Sequence, residues 1–374
     1  MGFDSKFYSA VSVLVGTCIG AGVLGIPYVA AQSGFFLALV YLFFIGGIIL
    51  LVNLYLGEVA LRTKGDHQLI GYAKKYLGKS GKHVMEFATV FGIYAALVAY
   101  MLGIGRSISF LAFGNFSYEL LFGVLFGIFM SFLIKGGLNS LKKFEKMGVI
   151  IILSLLVAIL VVFVGKIQLS NLLTFNSKNI LLPFGVILFA LMSFQSISQV
   201  KLVLKGKEKS LKKVLFVGTL ISLFFYIIFT FVVVGFKGIE TPDVATLALG
   251  SVFVFLGIFT MFTSYLAGGN ALVENFMFDE RYGKTFSWFL ASIIPIFIFV
   301  STRFFSFFSF TEILSLGGVV SGGILGLLIL FMIRKAKLIG KRKPEYSIPV
   351  KWIWILILGI VFAFGVLREI LLAF

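Results

Sequence analysis

Eleven apolar runs dominate the hydrophobic pattern of the chain. They cover approximately residues 7–32, 35–61, 85–113, 117–134, 145–165, 180–204, 213–236, 245–277, 285–302, 310–333 and 351–372. Each is close to the ~20 residues a helix needs to cross the hydrocarbon core of a bilayer. None alternates apolar and polar positions over ~10-residue segments, as strands of a membrane barrel do. Lipid offers no partners to backbone N–H and C=O groups, so each run is expected to be mostly helical. The pattern predicts an all-α polytopic membrane protein with 11 transmembrane helices. It predicts a single transmembrane domain over 1–374, with no separate soluble domain.

Two polar connections carry patterns of their own. HQLIGYAKKYLGK (67–79) is amphipathic and predicts a helix lying at the inner membrane surface. In IETPDVATLA (239–248), Pro242 and Asp243 predict a helix start after Thr241.

Composition sharpens this picture. The 374 residues are 60% hydrophobic and only 13% charged, against about a quarter charged in soluble domains. The net charge of +17 raises nucleic acid as a partner until the charges are located. With the N-terminus placed in the cytoplasm, most of the 32 basic residues, from Lys6 to Lys351, fall in inner loops. Lys166, Lys178, Lys237, Arg303 and Arg368 fall on the other side, and Arg106 lies within a span. The charge is therefore read as a topology signal, with no nucleic-acid partner. It predicts an integral protein of the plasma membrane, N-terminus cytoplasmic and C-terminus outside. Cys18 is the only cysteine, and His67 and His83 share a polar loop. That excludes a disulfide framework and argues against a His/Cys metal site. A membrane-embedded enzyme would need clustered His, Asp or Glu within the spans, and a channel would need rings of charge or a repeated filter; neither pattern is present.

Two spans depart from simple helix chemistry. The first contains GTCIGAGVLGIP, Gly16 to Pro27, although glycine costs a helix about 1 kcal/mol relative to alanine and proline more. The sixth is apolar except for Met192-Ser193-Phe194-Gln195-Ser196-Ile197-Ser198, where serines can bond to the backbone and bend a helix. Many secondary transporters are built from two inverted repeats whose discontinuous helices correspond. If spans 1–5 (approximately 7–165) repeat as spans 6–10 (180–333), with 351–372 as an extra helix, spans 1 and 6 correspond. The competing readings are Gly16-x-x-x-Gly20 as a close-packing motif and serines bonded within an intact helix. The glycines of GGVVSGGILG, Gly317 to Gly326, have no such symmetry and are read as packing.

A break in span 1 would supply binding chemistry. Unpaired N–H groups at the start of a half-helix, with its positive dipole end, can replace the water around a carboxylate. Gly20, Ala21 and Gly22 are the candidates, since small residues let a ligand approach the backbone. Pro27, without an N–H, is expected to mark the start of the outer half-helix. Unwound carbonyls would suit a cation or a substrate ammonium. In span 8, Thr260, Thr263 and Ser264 could complete an oxygen cage for Na⁺; the competing reading is hydroxyls bonded to their own helix.

GTCIGAGVLGIPYVAAQSGF (Gly16 to Phe35) resembles the first helix of the amino acid/auxin permease family, and within it the hydroxy and aromatic amino acid permease branch. AYMLGIGRSIS (Ala99 to Ser109), LPFGVILFALMSFQSI and FTSYLAGGNALVENF are similar to its third, sixth and eighth helices. The resemblance implies the five-plus-five inverted-repeat, leucine-transporter-like fold with discontinuous helices 1 and 6, and cation-coupled uptake of neutral L-amino acids. It implies that Gly20, Ala21 and Gly22 bind the carboxylate. Tyr100, Ala190, Met192, Ser193, Phe194 and Gln195 would line the site, and an aromatic lining would suit aromatic or hydrophobic substrates. Val15 and Cys18 would lend carbonyls to a cation site completed by Thr263 and Ser264. Phe194-Gln195-Ser196 departs from the histidine-containing or glycine-rich stretch of many relatives.

Proton coupling usually needs a titrating group near the pathway. Glu58 and Glu274 lie near inner ends of their spans; Arg106 is expected either to line an outer vestibule or to form part of a gate with an acidic partner, for which Glu119 and Glu312 are the outer-side candidates; and Lys146 sits at the cytoplasmic end of span 5. Sodium is the expected coupling ion and the only expected bound species besides substrate; a proton is the alternative.

Overall fold

The computed structural model describes residues 5–136, 152, 154–278, 281–305 and 308–373. Lys146 lies outside the described residues, as does the start of the fifth span. The helices run in the order α1 (Ser5–Cys18), α2 (Gly22–Ser33), α3 (Phe35–Arg62), α4 (Leu69–Phe113), α5 (Glu119–Gly136), α6 (Ser154–Lys166), α7 (Leu169–Leu172), α8 (Pro183–Leu191), α9 (Ser196–Val203), α10 (Leu211–Lys237), α11 (Ser251–Phe278), α12 (Lys284–Phe304), α13 (Phe310–Leu316), α14 (Gly323–Ile339) and α15 (Trp352–Ala373). Among the described residues, eight helical segments are long and apolar enough to cross a membrane. The bent pair α1–α2 makes a ninth, and α6 is a shorter apolar helix.

Spans 1 and 6 are both interrupted. Between α1 and α2 the chain bends by 53° at Ile19–Ala21. Between α8 and α9 it leaves the helix at Met192–Gln195, the polar stretch that sequence chemistry singles out. Pro27 does not mark the start of the second half-helix. That helix begins at Gly22, and Pro27 lies inside it.

Packing sorts the spans into groups. α1 and α2 pack on α8, α9 and α10, and α3 joins them through α8 and α10. α4, α5, α11 and α12 form a second group, while α13–α14 touches both α4 and α8. The glycines of span 10 do pack closely: a Cβ on Gly318 would lie 2.2 Å from the carbonyl oxygen of Gly185. They also form a π-helical turn, Gly317–Gly322, a local widening often found at functional positions.

The amphipathic stretch after span 2 is helical and becomes the first part of α4. It is set off from the rest by Gly78, whose φ of 74° favours glycine. The expected helix start after Thr241 is a correction: the segment forms a short 3₁₀ turn, Ala245–Leu249, preceded by extended Val244. Asp243 is drawn to Arg106 instead.

Glu58 is fully buried near the end of α3. Its carboxylate accepts from Arg62 Nε at 2.8 Å, from the Ser347 hydroxyl at 2.9 Å and from the Ile348 N–H at 2.8 Å. Lys337 Nζ lies 3.0 Å away. Tyr55 donates to the Pro349 carbonyl, and Tyr346 donates to that of Leu54. The connection between α14 and α15 is thus strapped across the end of α3. Glu58→Ala would strand buried donors and cations, a change that costs about 3 kcal/mol or more. We expect a clear fall in the thermal midpoint of the solubilised protein; an unchanged midpoint would show that the strap contributes nothing.

Candidate functional site

The first N–H groups of a helix have no intrahelical acceptor. Those of Gly22 and Val23, at the start of α2, therefore point into the first break, where the helix dipole is positive. A Cβ on Gly22 would lie 2.5 Å from Ala190 Cα, so the two interrupted spans meet backbone to backbone. Gly20 faces the other way. A Cβ there would sit 3.1 Å from the Tyr100 hydroxyl and 3.2 Å from the Ser264 hydroxyl. The Tyr100 hydroxyl also lies beside the backbone of Ala21. Gly20, Ala21, Tyr100 and Ser264 thus converge on the first break, and Gly22 and Ala190 form its floor against span 6.

The other residues proposed to line the site divide. Ser193 accepts a hydrogen bond from Asn53 of α3 at 2.8 Å, and its carbonyl accepts from the Ser196 hydroxyl at 2.8 Å. Met192 points toward the π-turn, where its sulfur would lie 2.6 Å from a Cβ on Gly322. Phe194 is buried in the core, whereas Gln195 is exposed.

Several of the residues expected to hold Na⁺ make hydrogen bonds of their own. The Val15 carbonyl accepts from the Ile19 N–H at 2.9 Å. The Cys18 carbonyl accepts from Gly20 N–H at 2.9 Å and from the Tyr226 hydroxyl at 2.7 Å. The Thr260 hydroxyl donates to the Gly257 carbonyl, and that of Thr263 to Phe259 and Thr260. Both threonines satisfy their own helix, as such residues commonly do. The Cys18 thiol lies beside Ser222 and its carbonyl accepts from Tyr226, both of α10.

On the face opposite the N-terminus, four charges tie several elements together. Arg106 of α4 donates to Glu119 of α5 at 2.8 Å and also pairs with Asp243. Glu119 in turn pairs with Arg303 of α12. Two cations meet two anions, all partly buried, so desolvation is offset within the cluster. Of the two partners expected for Arg106, Glu119 is found. Glu312 instead closes a capping box with Ser309 at the start of α13.

The profile of the Tryptophan/tyrosine permease family matches residues 4–371. The chain belongs to the Tryptophan/tyrosine permease family. The aromatic amino acid permease branch suggested by its motifs agrees with this. Two relatives are each 26% identical: tyrosine-specific transport system 1 of Haemophilus influenzae over 229 residues, and glutamine transporter 2 of Aliivibrio fischeri over 238. These matches cover 60% and 62% of this chain, which spans only 56% and 61% of the relatives' lengths. A solved structure of MHP1, a nucleobase-cation-symport-1 family transporter in a closed conformation with bromovinylhydantoin bound, superposes with a TM-score of 0.63 at 12% identity. It covers 98% of this chain and 91% of that one. The five-plus-five inverted-repeat transporter fold is therefore present in this permease.

Sequence reasoning missed the second wall of the breaks. Asn53 of α3 and the stripe Thr219, Ser222, Tyr226 and Thr230 of α10 are all buried. Polar residues at helical spacing within an apolar span face a bundle interior, and that spacing was the available signal. It could not reveal that Ser222 and Tyr226 face Cys18 of span 1.

A steric contrast tests the site. Gly20→Ala meets only the tips of two side chains, whereas Gly22→Ala meets backbone. The thermal midpoint of the purified permease should fall little in the first variant and markedly in the second, because only the second pushes backbone apart. Equal tolerance of both would refute the close approach of spans 1 and 6.

Proposed function

We propose that this permease is a secondary transporter that imports neutral L-amino acids, aromatic or hydrophobic ones among them, by cation-coupled alternating access. One observation carries the reading: two interrupted helices meet at Gly22 and Ala190, leaving the amide-rich start of α2 beside the neutral hydroxyls of Tyr100 and Ser264. Such a site favours a carboxylate without a fixed charge for the side chain. The tyrosine and glutamine in the relatives' names are both neutral amino acids, in keeping with this. Gly20, Ala21 and Gly22 would take the carboxylate. Tyr100 and Ser264 would orient it, and Ala190, Met192, Ser193, Phe194 and Gln195 would shape the facing wall.

The N-terminal face, which carries most of the basic residues, is assigned to the cytoplasm, in the plasma membrane. The Arg106 cluster then lies outside and holds the outer face together. Thr17 and Gln195, polar and exposed near the two breaks, are taken to face the inward pathway, since polar side chains within spans avoid lipid. Outward opening would break the Arg106–Asp243 pair. Sodium is the ion favoured by the residue types, and Val15, Cys18, Thr260, Thr263 and Ser264 would hold it.

The test is uptake into proteoliposomes of a panel of labelled amino acids under separate Na⁺ and H⁺ gradients. Accumulation of at least one neutral L-amino acid under one gradient is expected; no accumulation under either would overturn the proposal. Asp243→Asn should favour the outward-open form and raise apparent affinity for external substrate by about three-fold, the scale of a part-exposed ion pair. An unaltered affinity and turnover would remove the cluster from the transport cycle.

A further inference from the structure

Both interrupted helices end in carbonyls that need donors. Cys18 closes α1, and Ala190 is the penultimate residue of α8. The last carbonyls of a helix have no intrahelical partner and carry the negative end of its dipole. Here two such ends meet in the interior, and one group answers both. The Tyr226 hydroxyl lies 2.7 Å from the Cys18 carbonyl and 2.7 Å from the Ala190 carbonyl. The side chain is fully buried at mid-length of α10.

A hydroxyl has one proton to donate, so it satisfies the two carbonyls only in alternation. The Cys18 carbonyl has a second donor in the Gly20 N–H. Acceptors outnumber donors at a point where two negative helix ends face each other. That is the setting in which a cation would be expected.

We propose that Tyr226 is a positioning residue that stands in for a cation between the two helix ends. Its hydroxyl ties α1 to α8, and its ring anchors both to α10. The link sets the distance across which Gly22 meets Ala190, and so the width of the amino acid site; this consequence for transport rests on the function proposed above. The other buried polar groups nearby do not do this. Ser222 donates within its own helix, to the Gly218 carbonyl, and Asn53 reaches only the far side of the second break, at Ser193.

Cys18, the only cysteine in the chain, reports on the link directly. It is buried, and its thiol lies beside Ser222 and Ser193. The rate of its alkylation by N-ethylmaleimide in the purified full-length protein measures how often the end of α1 comes free. Tyr226→Phe removes the hydroxyl and keeps the ring. It should raise the rate about five-fold, the equilibrium factor of one neutral hydrogen bond. Tyr265→Phe is the control, because Tyr265 is equally buried and its hydroxyl has no partner; the rate should stay at the wild-type value. Tyr226→His, which retains a ring N–H, should fall between. A Tyr226→Phe rate within about two-fold of wild type, or the same rise in Tyr265→Phe, would overturn the proposal. If the Phe variant does not fold, recovery in the His variant supports a donor requirement, and failure of both overturns it. In proteoliposomes Tyr226→Phe should raise KM for L-tyrosine about five-fold. Wild-type uptake tests the amino acid reading alone, whereas the alkylation rate needs no transport and tests Tyr226 alone.

Discussion

Backbone hydrogen bonding inside a membrane is the constraint on which this structure depends. A continuous helix satisfies every N–H and C=O by itself, and lipid supplies no substitute. Each interruption therefore creates donors and acceptors that other parts of the protein must answer. The carbonyls at the end of α1 and near the end of α8 are answered by Tyr226, and Ser193 is held by Asn53. The amides at the start of α2 are left facing the break. A span can be broken here because α3 and α10 bring polar groups to the same depth.

Close packing follows from the same requirement. The groups can serve one another only if the two broken spans touch, and Gly22 against Ala190 permits that. Any side chain at Gly22 would separate the half-helices and strand their ends. Gly20 faces the hydroxyls of Tyr100 and Ser264, the polar groups proposed to meet the ligand. Neighbouring glycines thus have different duties, one packing and one lining, which their shared chemistry does not distinguish.

Charge is kept away from this neutral centre and gathered at the two faces. Glu58 anchors the connection before α15 on one face, with Arg62 and Lys337 beside it. Arg106, Glu119, Asp243 and Arg303 join α4, α5, α12 and the segment before α11 on the other. These charges are buried or partly buried, and pairing offsets their desolvation, whereas unpaired charges near the middle would be costly.

Much of this was determined by the sequence alone. Length and continuous apolarity of the runs dictate membrane helices, because a helix satisfies its own backbone and the alternation of a barrel strand is missing. Glycines at Gly20 and Gly22, and the serines around Ser193, mark both interruptions, because broken helices need small or self-bonding residues. Partner choice was decided only by the tertiary structure. The Thr263 hydroxyl bonds its own helix, and the Cys18 carbonyl takes its side-chain donor from Tyr226, far away in the sequence. Asp243 looked like a helix start and became a partner of Arg106. A carbonyl or hydroxyl has the same sequence signature whoever receives its hydrogen bond. The receiver is set by how helices far apart in the chain rotate and pack, and spacing along a single span carries no record of that rotation.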